Sequence, residues 1–342
     1  MIVPVHDARL RLRKPYVVFI GDVADRASAK TGYGLRDWCR SDVIGQVRTA
    51  PEAVDLGLTE MTIDQAANAG ARSIVIGIAP DGGNLADRWV ATLADAAAAG
   101  LDVVSGLHSR LRSYPAIAAA AERGGSDLVD IRHPDLRVPL ATGRRRSGNR
   151  LLTVGTDCAL GKKYTALSIT SELLARGIDA SFRATGQTGI MISGSGIPID
   201  AMIADFVAGA AEALSPDASA GHWDVIEGQG SLFHPSYAAV TLGLVHGSQP
   251  DAMILCHDPR RTAVDGLPDF LLPPLATAVR RYEEAARLTN RAARVVALSL
   301  NTGGMSADEA EEAIAAATRE TGLPAADPIR GGAGPLADAL LS

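Results

Sequence analysis

The sequence is poor in cysteine and in aromatic residues, and both shortages limit what the protein can be. Its three cysteines, Cys39, Cys158 and Cys256, are far apart and odd in number. This spacing argues against a disulfide framework and a cysteine-rich metal site, so we expect a reducing compartment, the cytoplasm. Aromatic residues make up 4% of the chain, whereas apolar residues make up 47%. Such a composition, rich in alanine and glycine, is typical of helices packed closely on sheets.

Excess positive charge and long apolar runs are also missing. The formal net charge is -6, which argues against a nucleic-acid partner, because phosphate backbones favour excess lysine and arginine. Residues 1–7 lack the basic start and apolar core of a signal peptide, and no apolar run reaches the length of a membrane helix. We therefore expect a soluble protein that binds neither membranes nor nucleic acid. Its 342 residues are long for one core, so we expect two domains and, from the apolar, alanine-rich composition, a homo-oligomer.

A strand, a glycine-bounded loop and a helix follow one another in the middle of the chain. Residues 151–154 are apolar or β-branched, Gly155 and Gly161 bound the loop, and residues 166–176 have a helical pattern. Such a loop presents backbone N–H groups at a helix N-terminus, and Lys162 adds a full positive charge. The sequence therefore predicts a phosphate site, made by Gly155, Thr156, Asp157, Cys158, Ala159, Leu160, Gly161, Lys162, Lys163, Tyr164 and Thr165.

This loop differs from the usual phosphate-loop consensus in two ways. It has five residues between its glycines instead of four, and Lys163 stands where a serine or threonine would hold magnesium. Thr165 lies two residues too late for that role. The pattern favours phosphates that are bound and neutralised without being transferred, as in a coenzyme diphosphate, and we expect no metal. The alternative is an ordinary βα turn with its lysines in water.

The first half of the chain alternates strands with helices. Apolar runs at 16–22, 73–77, 101–107 and 127–131 are separated by helical patterns, which predicts a parallel sheet with right-handed crossovers. We therefore interpret residues 1–142 as a Rossmann-like domain. No Gly-x-Gly-x-x-Gly turn follows the first strand, so a nicotinamide cofactor is disfavoured.

Four basic side chains follow two of these strands. His108 and Arg110 come after one strand, and Arg132 and His133 come after the next. Two arginines at such a sheet edge can bind a dicarboxylate, because a guanidinium matches a carboxylate with paired hydrogen bonds. Each residue alone is more often a surface or capping residue.

A basic linker is predicted at residues 143–150, before a P-loop-type α/β domain at 151–342. The linker contains Arg144, Arg145 and Arg146, which are either solvated or able to reach a second phosphate such as the 3′-phosphate of coenzyme A.

Two polar loops follow strands of the predicted second domain. Residues 185–194 are rich in glycine and hydroxyl residues, so their backbone can approach a ligand closely. Glu227 ends the strand at 223–226, and a carboxylate there is either a metal ligand or a general base. Because no hydroxyl follows Lys162, the base is favoured. His234 is the other candidate base, with an ordinary loop histidine as its alternative.

Three strings of this sequence resemble the DgcN type of D-glutamate N-acetyltransferase. They are residues 155–165, 182–189 and 223–235, and shorter matches at 19–22, 106–108 and 132–134 extend the resemblance over nearly the whole chain. The second half also resembles dethiobiotin synthetase, an ATP-dependent ligase that has a similar long loop but follows its lysine with threonine.

The family resemblance implies an acyltransferase that moves an acetyl group from acetyl-CoA, its cosubstrate, to the amine of D-glutamate. Glu227 or His234 would take the proton, and the phosphate-loop amides with Lys162 and Lys163 would hold the coenzyme. Candidates for binding the substrate are Arg183, Gln187, Thr188, Arg110 and Arg261. The competing interpretations are an ATP- or GTP-dependent ligase or kinase and a nucleotide-binding regulator without turnover.

Overall fold

The computed structural model describes Leu10 and residues 12–342, which form two compact units. The N-terminal unit holds the described residues up to Leu136 together with Gln187–Ala201, and the C-terminal unit holds Arg137–Gly186 and Met202–Ser342. The boundaries predicted at 142 and 151 remain predictions for independently folding domains. Gln187–Ala201, however, packs with the first unit although its place in the sequence falls within 151–342. The expectation about a signal peptide concerns residues 1–7, which lie outside the described residues.

The N-terminal unit contains one parallel five-stranded sheet with helices between its strands. Its strand order is β2-β1-β3-β4-β5, which is one of the two common doubly wound orders. The elements are β1 (Tyr16–Gly21), α1 (Lys30–Trp38), β2 (Val43–Arg48), α2 (Ile63–Asn68), β3 (Ser73–Ile76), α3 (Asp87–Ala98), β4 (Asp102–Ser105), α4 (Pro115–Gly124) and β5 (Leu128–Asp130).

The parallel sheet expected from the sequence is confirmed, and one of its strands was missed. Every residue of β1 is buried, as its continuous apolar run predicts. Strand β2 escaped prediction because Gly45 and Gln46 interrupt its apolar pattern. The Gln46 side chain is buried and accepts the N–H of Leu56 at 2.8 Å, so a polar residue here serves the adjoining loop.

The C-terminal unit has a parallel six-stranded sheet of order β13-β12-β9-β6-β8-β7 and a small antiparallel hairpin, β10-β11. Its elements, with α6 included for chain order, are β6 (Asn149–Gly155), α5 (Lys162–Ala175), β7 (Ala180–Arg183), α6 (Gln187–Ser193), α7 (Val207–Leu214), β8 (Trp223–Ile226), α8 (Ala238–Ser248), β9 (Ala252–His257), β10 (Ala263–Val264), β11 (Leu267–Leu271), α9 (Leu275–Arg287), β12 (Arg294–Leu300), α10 (Ala307–Thr321), β13 (Ala325–Ala326) and α11 (Gly334–Leu341).

The core of the C-terminal unit explains why α5 and α11 lie on its sheet. Ile169 and Leu173 on α5 and Leu336 on α11 pack with Leu151 and Val225 in one buried cluster. Burying each such side chain contributes about 1.5–3 kcal/mol. The sheet therefore holds the helix that follows the phosphate loop in a fixed position.

The sequence interpretation of residues 185–194 as a loop is wrong in part, because α6 occupies most of it. Its Gln187, Thr188, Gly189, Ile190 and Met191 are buried within the N-terminal unit. The pattern is too short to show helical periodicity, and burial against neighbouring elements decides the conformation.

Strand β6 lies where the strand order of the second sheet changes direction. The next strands along the chain, β7 and β8, lie on one side of β6, and β9 and β12 lie on the other. Open α/β sheets bind ligands at the carboxyl ends of strands at such a point. A ligand-binding site is therefore expected at the loop after β6.

Candidate active site

The loop between β6 and α5 is held in a backbone shape that suits an anion. Gly161 directly precedes the helix and has φ +103°, and Ala159 has φ +55°. Glycine adopts the left-handed region freely, but a non-glycine residue there is uncommon and tends to occur at functional sites. The helix N-terminus that follows carries partial positive charge. The loop thus has the geometry of a phosphate cradle.

Lys162 lies inside this loop and not in solvent. Its ammonium is buried and donates to the carbonyl oxygen of Asp157 at 2.7 Å. Burial lowers the pKa of Lys162, which means that the charged form is poorly solvated without an anion nearby. A side chain at position 155 would place its Cβ 3.2 Å from the Lys162 Nζ, so Gly155 leaves room for the ammonium.

Asp157 fixes the loop from within. Its carboxylate is fully buried, one oxygen accepts the N–H of Cys158 at 2.6 Å, and the other accepts from Arg261 at 2.7 Å and from the N–H of Asp265 at 2.9 Å. Arg261 also donates to the carbonyl of Cys158 at 2.9 Å. Arg261, expected to bind a substrate carboxylate, is thus placed beside the phosphate loop with part of its guanidinium used by Asp157.

The remaining residues of the loop divide between inward and outward positions. Thr156 lies 2.9 Å from Nδ1 of His257, and the buried Thr165 hydroxyl lies 2.7 Å from that of Ser299. The Thr165 hydroxyl is thus hydrogen-bonded to Ser299 on β12. It does not take the place of the magnesium-binding hydroxyl, where this chain has Lys163. Leu160 is buried, and the Lys163 ammonium lies 5.1 Å from the centre of the Tyr164 ring.

Tyr282, on α9, joins two loops of the site and was not predicted from the sequence. Its buried hydroxyl donates to the carbonyl of Gly155 at 2.6 Å and accepts the N–H of Leu232 at 3.2 Å. Burial raises the pKa of Tyr282 to about 12. The signal that was available is its helical spacing from Leu275, Ala278 and Ala286, the other buried residues of α9.

Glu227 lies directly after β8 with its carboxylate fixed by backbone donors. One oxygen accepts the N–H of Thr185 at 2.9 Å and that of Gly186 at 3.1 Å. The next residue, Gly228, donates to the hydroxyl of Thr153 at 2.9 Å. A Cβ on Gly228 would lie 1.7 Å from the Thr153 carbonyl oxygen, so only glycine fits. The strand end therefore presents an oriented carboxylate beside β6.

His234 lies in the loop after β8 with one ring nitrogen already used. Its Nδ1 accepts the backbone N–H of Ser236 at 3.1 Å, and its ring lies 4.5 Å from that of Tyr237, centroid to centroid. A backbone N–H can only donate, so the proton of the neutral imidazole is on Nε2. In the neutral ring His234 is therefore a hydrogen-bond donor at Nε2, and the role of base expected from the sequence remains a prediction.

Arg183 has a partner that competes with the predicted carboxylate-binding role. Its Nε donates to Asp224 at 2.5 Å across β7 and β8, and Asp224 is almost fully buried. The role predicted for Arg183 remains a prediction.

The other predicted substrate residues belong to the N-terminal unit. Arg110 is exposed, the Thr188 hydroxyl lies 2.8 Å from that of Thr31, and the Gln187 side chain packs against Gly106. Arg132, which also follows a strand, donates to the carbonyl of Gly106 and pairs with Asp200. The Arg132 guanidinium therefore serves the fold.

The three consecutive arginines do not form a free phosphate-binding group. Arg146 is buried and donates to four backbone carbonyls near the ends of α7 and α8, those of Glu212, Ser215, Gly247 and Ser248. Arg144 pairs with Asp217 and Arg145 with Asp251, both at 2.5 Å. The sequence interpretation as a second phosphate site fails for Arg146, because its burial removes it from any ligand.

Asp157, Cys158 and His234 come nearest to a metal site within the described chain. One ligand atom from each lies within 4.8 Å of the others. Both oxygens of Asp157 already accept N–H groups, and the cations Lys162 and Arg261 adjoin it. A metal ion would meet occupied oxygens and like charge, so this group fits a metal poorly. The expectation of no metal stays a prediction.

The fold and the loop together show the class of protein to which this chain belongs. It is an α/β protein of P-loop type, and its loop has a lysine where the magnesium-binding hydroxyl usually stands. The chain belongs to the DUF1611 family. Residues 139–337 match its C-terminal domain of unknown function, described as a P-loop domain, and residues 46–134 match its N-terminal domain of unknown function, described as Rossmann-like. The two-part α/β architecture inferred from the sequence is thereby confirmed.

Relatives cover almost the full length of the chain. A protein of Tritonibacter scottomollicae named D-glutamate N-acetyltransferase is 48% identical over 96% of this chain and 99% of its own. A protein of the same name from Pseudoalteromonas sp. is 43% identical over 94% of this chain and 97% of its own. The crystal structure of a DUF1611 family protein from Anabaena variabilis is 33% identical with a TM-score of 0.88, covering 96% of this chain and 99% of that one. The family resemblance stated from the motifs is confirmed.

No helix in the described part of the chain is both long and apolar enough to cross a membrane.

Proposed function

We propose that this protein is an N-acetyltransferase that moves the acetyl group of acetyl-CoA to the amino group of D-glutamate. The observation that carries the proposal is the identity of 48% and 43%, over nearly the full length, with two relatives named D-glutamate N-acetyltransferase. The phosphate loop supports acetyl-CoA as the acetyl donor, because the diphosphate of coenzyme A needs a loop that binds phosphate without transferring it.

In this proposal the loop holds the coenzyme by charge and by backbone donors. The N-terminus of α5 and the ammonium of Lys162 neutralise the diphosphate, and Lys163 adds charge at the entrance. The bound diphosphate adds negative charge beside the buried ammonium, which opposes the effect of burial on the pKa of Lys162. Binding of the coenzyme therefore stabilises the loop.

The acyl transfer needs a proton acceptor and a polarised carbonyl. Glu227, held by two backbone N–H groups, takes the proton from the D-glutamate ammonium. His234 donates from Nε2 to the oxygen of the thioester carbonyl, which becomes negative as the carbon becomes tetrahedral. The substrate-binding roles expected for Arg110, Gln187 and Thr188 remain predictions.

The test measures free thiol released from acetyl-CoA by the purified protein with D-glutamate, L-glutamate or no amino acid. Neither nucleotide nor metal is added, and EDTA is present in a parallel series. We expect thiol release with D-glutamate alone, unchanged by EDTA. Absence of release with every amino acid would overturn the proposal, and rescue by magnesium would overturn the metal-free mechanism.

A competing function is an ATP-dependent ligase or kinase of the dethiobiotin-synthetase type, which the phosphate loop and Glu227 favour. Adding ATP and magnesium to the same mixtures separates the two. ADP formation that depends on an amino acid would support the ligase, whereas the position of Lys163 and the commitment of Thr165 to Ser299 favour the acetyltransferase.

Glu227→Gln tests the general base while keeping the shape of the side chain. We expect kcat to fall by about 10²–10⁴-fold with little change in the KM for acetyl-CoA. Glu212→Gln is the matched control, because the Glu212 carboxylate likewise accepts two backbone N–H groups, those of Thr142 and Gly143. Equal loss in both variants would mean that Glu227 is structural.

We further propose that the enzyme acts in the cytoplasm as a homo-oligomer on small-molecule substrates. Cys39, Cys158 and Cys256 form no disulfide bond, which is in keeping with a reducing compartment. Light scattering of the purified protein and fractionation of the source cells test these two points.

A further inference from the structure

Cys158 differs from the other two cysteines in its accessibility. It is partly exposed within the phosphate loop, whereas Cys39 and Cys256 are buried and burial raises the pKa of both of those thiols. A thiol reacts as its thiolate, so accessibility and local charge decide whether it is a nucleophile. Cys158 is the one that a loop-bound substrate is able to reach.

Positive charge surrounds Cys158. The ammonium of Lys162 donates to the carbonyl preceding it, the guanidinium of Arg261 donates to its own carbonyl, and α5 begins four residues later. The Coulomb interaction with Cys158 opposes the effect of burial on the pKa of Lys162. Asp157 is the opposing charge, and Arg261 already pairs with it. Cations and a helix N-terminus beside a cysteine favour the thiolate, which is its reactive form.

His234 completes the arrangement. One of its ring nitrogens lies within 4.8 Å of both the Cys158 sulfur and a carboxylate oxygen of Asp157. Because Nδ1 accepts from Ser236, the ring offers an N–H and not a base. A thiol in an electropositive loop, with an imidazole ring beside it, is the arrangement found in acyl transfer through a cysteine. It is a weak metal site for the reasons given above.

We propose that Cys158 is the nucleophile of the reaction and carries the acetyl group as a thioester between the two substrates. This inference rests on the proposed acetyl-CoA-dependent function. It places the thioester at this loop in place of the diphosphate, which lies at the far end of the pantetheine arm, and it gives Cys158 a covalent role instead of a coenzyme-binding one.

The first half-reaction exchanges one thioester for another. The Cys158 thiolate, whose proton has already passed to water, attacks the acetyl carbon, and the bond from that carbon to the coenzyme sulfur breaks. Coenzyme A leaves as a thiolate and takes a proton from water. His234 donates to the oxyanion of the tetrahedral intermediate.

The second half-reaction forms the amide. Glu227 takes one proton from the D-glutamate ammonium and passes it to water, and the free amine attacks the acetyl-Cys158 carbon. The carbon–sulfur bond breaks, the Cys158 thiolate is restored, and the second nitrogen proton passes to water as the amide forms. One acetyl-CoA and one D-glutamate thus give one N-acetyl-D-glutamate and one coenzyme A.

The test omits the acceptor. Wild-type protein is mixed with acetyl-CoA alone, quenched in acid and examined by intact mass, and the labelled peptide is mapped and treated with neutral hydroxylamine. A parallel experiment follows exchange of labelled coenzyme A into acetyl-CoA. We expect up to one hydroxylamine-labile acetyl group per chain on Cys158, coenzyme exchange without D-glutamate, and parallel lines in double-reciprocal plots.

Cys158→Ala should abolish the label and the exchange and lower kcat by about 10³-fold or more. Cys39→Ala, a change in the N-terminal unit, should keep the acetyl label, the coenzyme exchange and the wild-type kcat. Intersecting lines with no label and no exchange in the wild-type protein would overturn the proposal even if the Cys158 variant did not fold. If D-glutamate-dependent thiol release persists in that case, the acetyltransferase function stands and transfer is direct. If the wild-type protein releases no thiol with any amino acid, the proposed function fails as well.

Discussion

The hydroxyl of Tyr282 is the contact that ties the phosphate loop to the loop after β8, so Tyr282→Phe isolates its contribution. The substitution keeps the ring, which is fully buried and packs edge-on against Phe233 at 5.8 Å. It removes the donor to the Gly155 carbonyl at 2.6 Å and the acceptor for the N–H groups of Leu232 at 3.2 Å and Gly155 at 3.4 Å. Any loss of stability therefore arises from polar groups and not from a cavity.

The magnitude follows from the three backbone groups that lose this hydrogen bond, the carbonyl and the N–H of Gly155 and the N–H of Leu232. A buried group left without a hydrogen bond costs about 1–3 kcal/mol. Gly155 is buried, whereas Leu232 is partly exposed and its N–H can be hydrated at smaller cost. We expect Tyr282→Phe to lower the free energy of unfolding by about 1–3 kcal/mol in total. We also expect a higher KM for acetyl-CoA, because both loops of the site become more mobile.

The assay combines urea unfolding with amide hydrogen exchange. Urea unfolding gives the change in the free energy of unfolding, as the change in midpoint multiplied by the slope m. Hydrogen exchange shows which amides lose protection. Each factor of ten in protection of the Leu232 amide corresponds to about 1.4 kcal/mol of opening free energy. Tyr33→Phe removes a hydroxyl from a partly exposed ring of the other unit and serves as the control. Stability within about 0.5 kcal/mol of wild type, with unchanged exchange at Leu232, would refute the argument.

Three further predictions test the surroundings of the site. Gly228→Ala should reduce soluble yield or stability sharply, because its Cβ would lie 1.7 Å from a backbone oxygen, whereas Gly221→Ala has open space and should change neither. Arg146→Ala should destabilise the protein by about 3 kcal/mol or more in urea unfolding, because four carbonyls lose their donor, while leaving the KM for acetyl-CoA unchanged; a raised KM with unchanged stability would instead support phosphate binding. Although burial opposes it, the hydrogen bond from the Thr142 hydroxyl, together with those from the N–H groups of Gly143 and Thr142, lowers the pKa of Glu212 from its usual 4.5. The stability that Glu212 contributes is therefore present above pH 4.5 and lost as the pH falls through the lower folded value. Thermal melts of Glu212→Gln should accordingly show a shallower acid decline than wild type, and parallel curves would count against this.

Prediction from the sequence succeeded where local pattern and tertiary structure agree. The continuous apolar run of β1 and the strand, loop and helix around Gly155–Thr165 were each identified, because short-range spacing determines them. The capping box of α2, formed by Thr62 and Gln65, is another feature that a spacing of three residues determines.

Side-chain roles were harder to predict because they depend on partners far away in the chain. Arg261 was identified as a substrate residue, but its partner Asp157 lies 104 residues earlier. Arg146 looked like an exposed cation, yet it satisfies carbonyls at the ends of α7 and α8. Tyr282 gave only the signal of a buried helix face. No local pattern contains these pairings, so sequence reasoning had no basis for ranking them.

The path of the chain limits how these two halves can be separated. Within the described residues the chain passes between the units three times, after Leu136, after Gly186 and after Ala201. The second half thereby donates α6, most of it buried, to the first. If the gene were split between the two matched domains, the N-terminal product would lack α6. The C-terminal product would carry α6 without the unit that buries it. Recombination that shuffles one half without the other should therefore rarely yield a working protein, and the pair is expected to be inherited as a single reading frame.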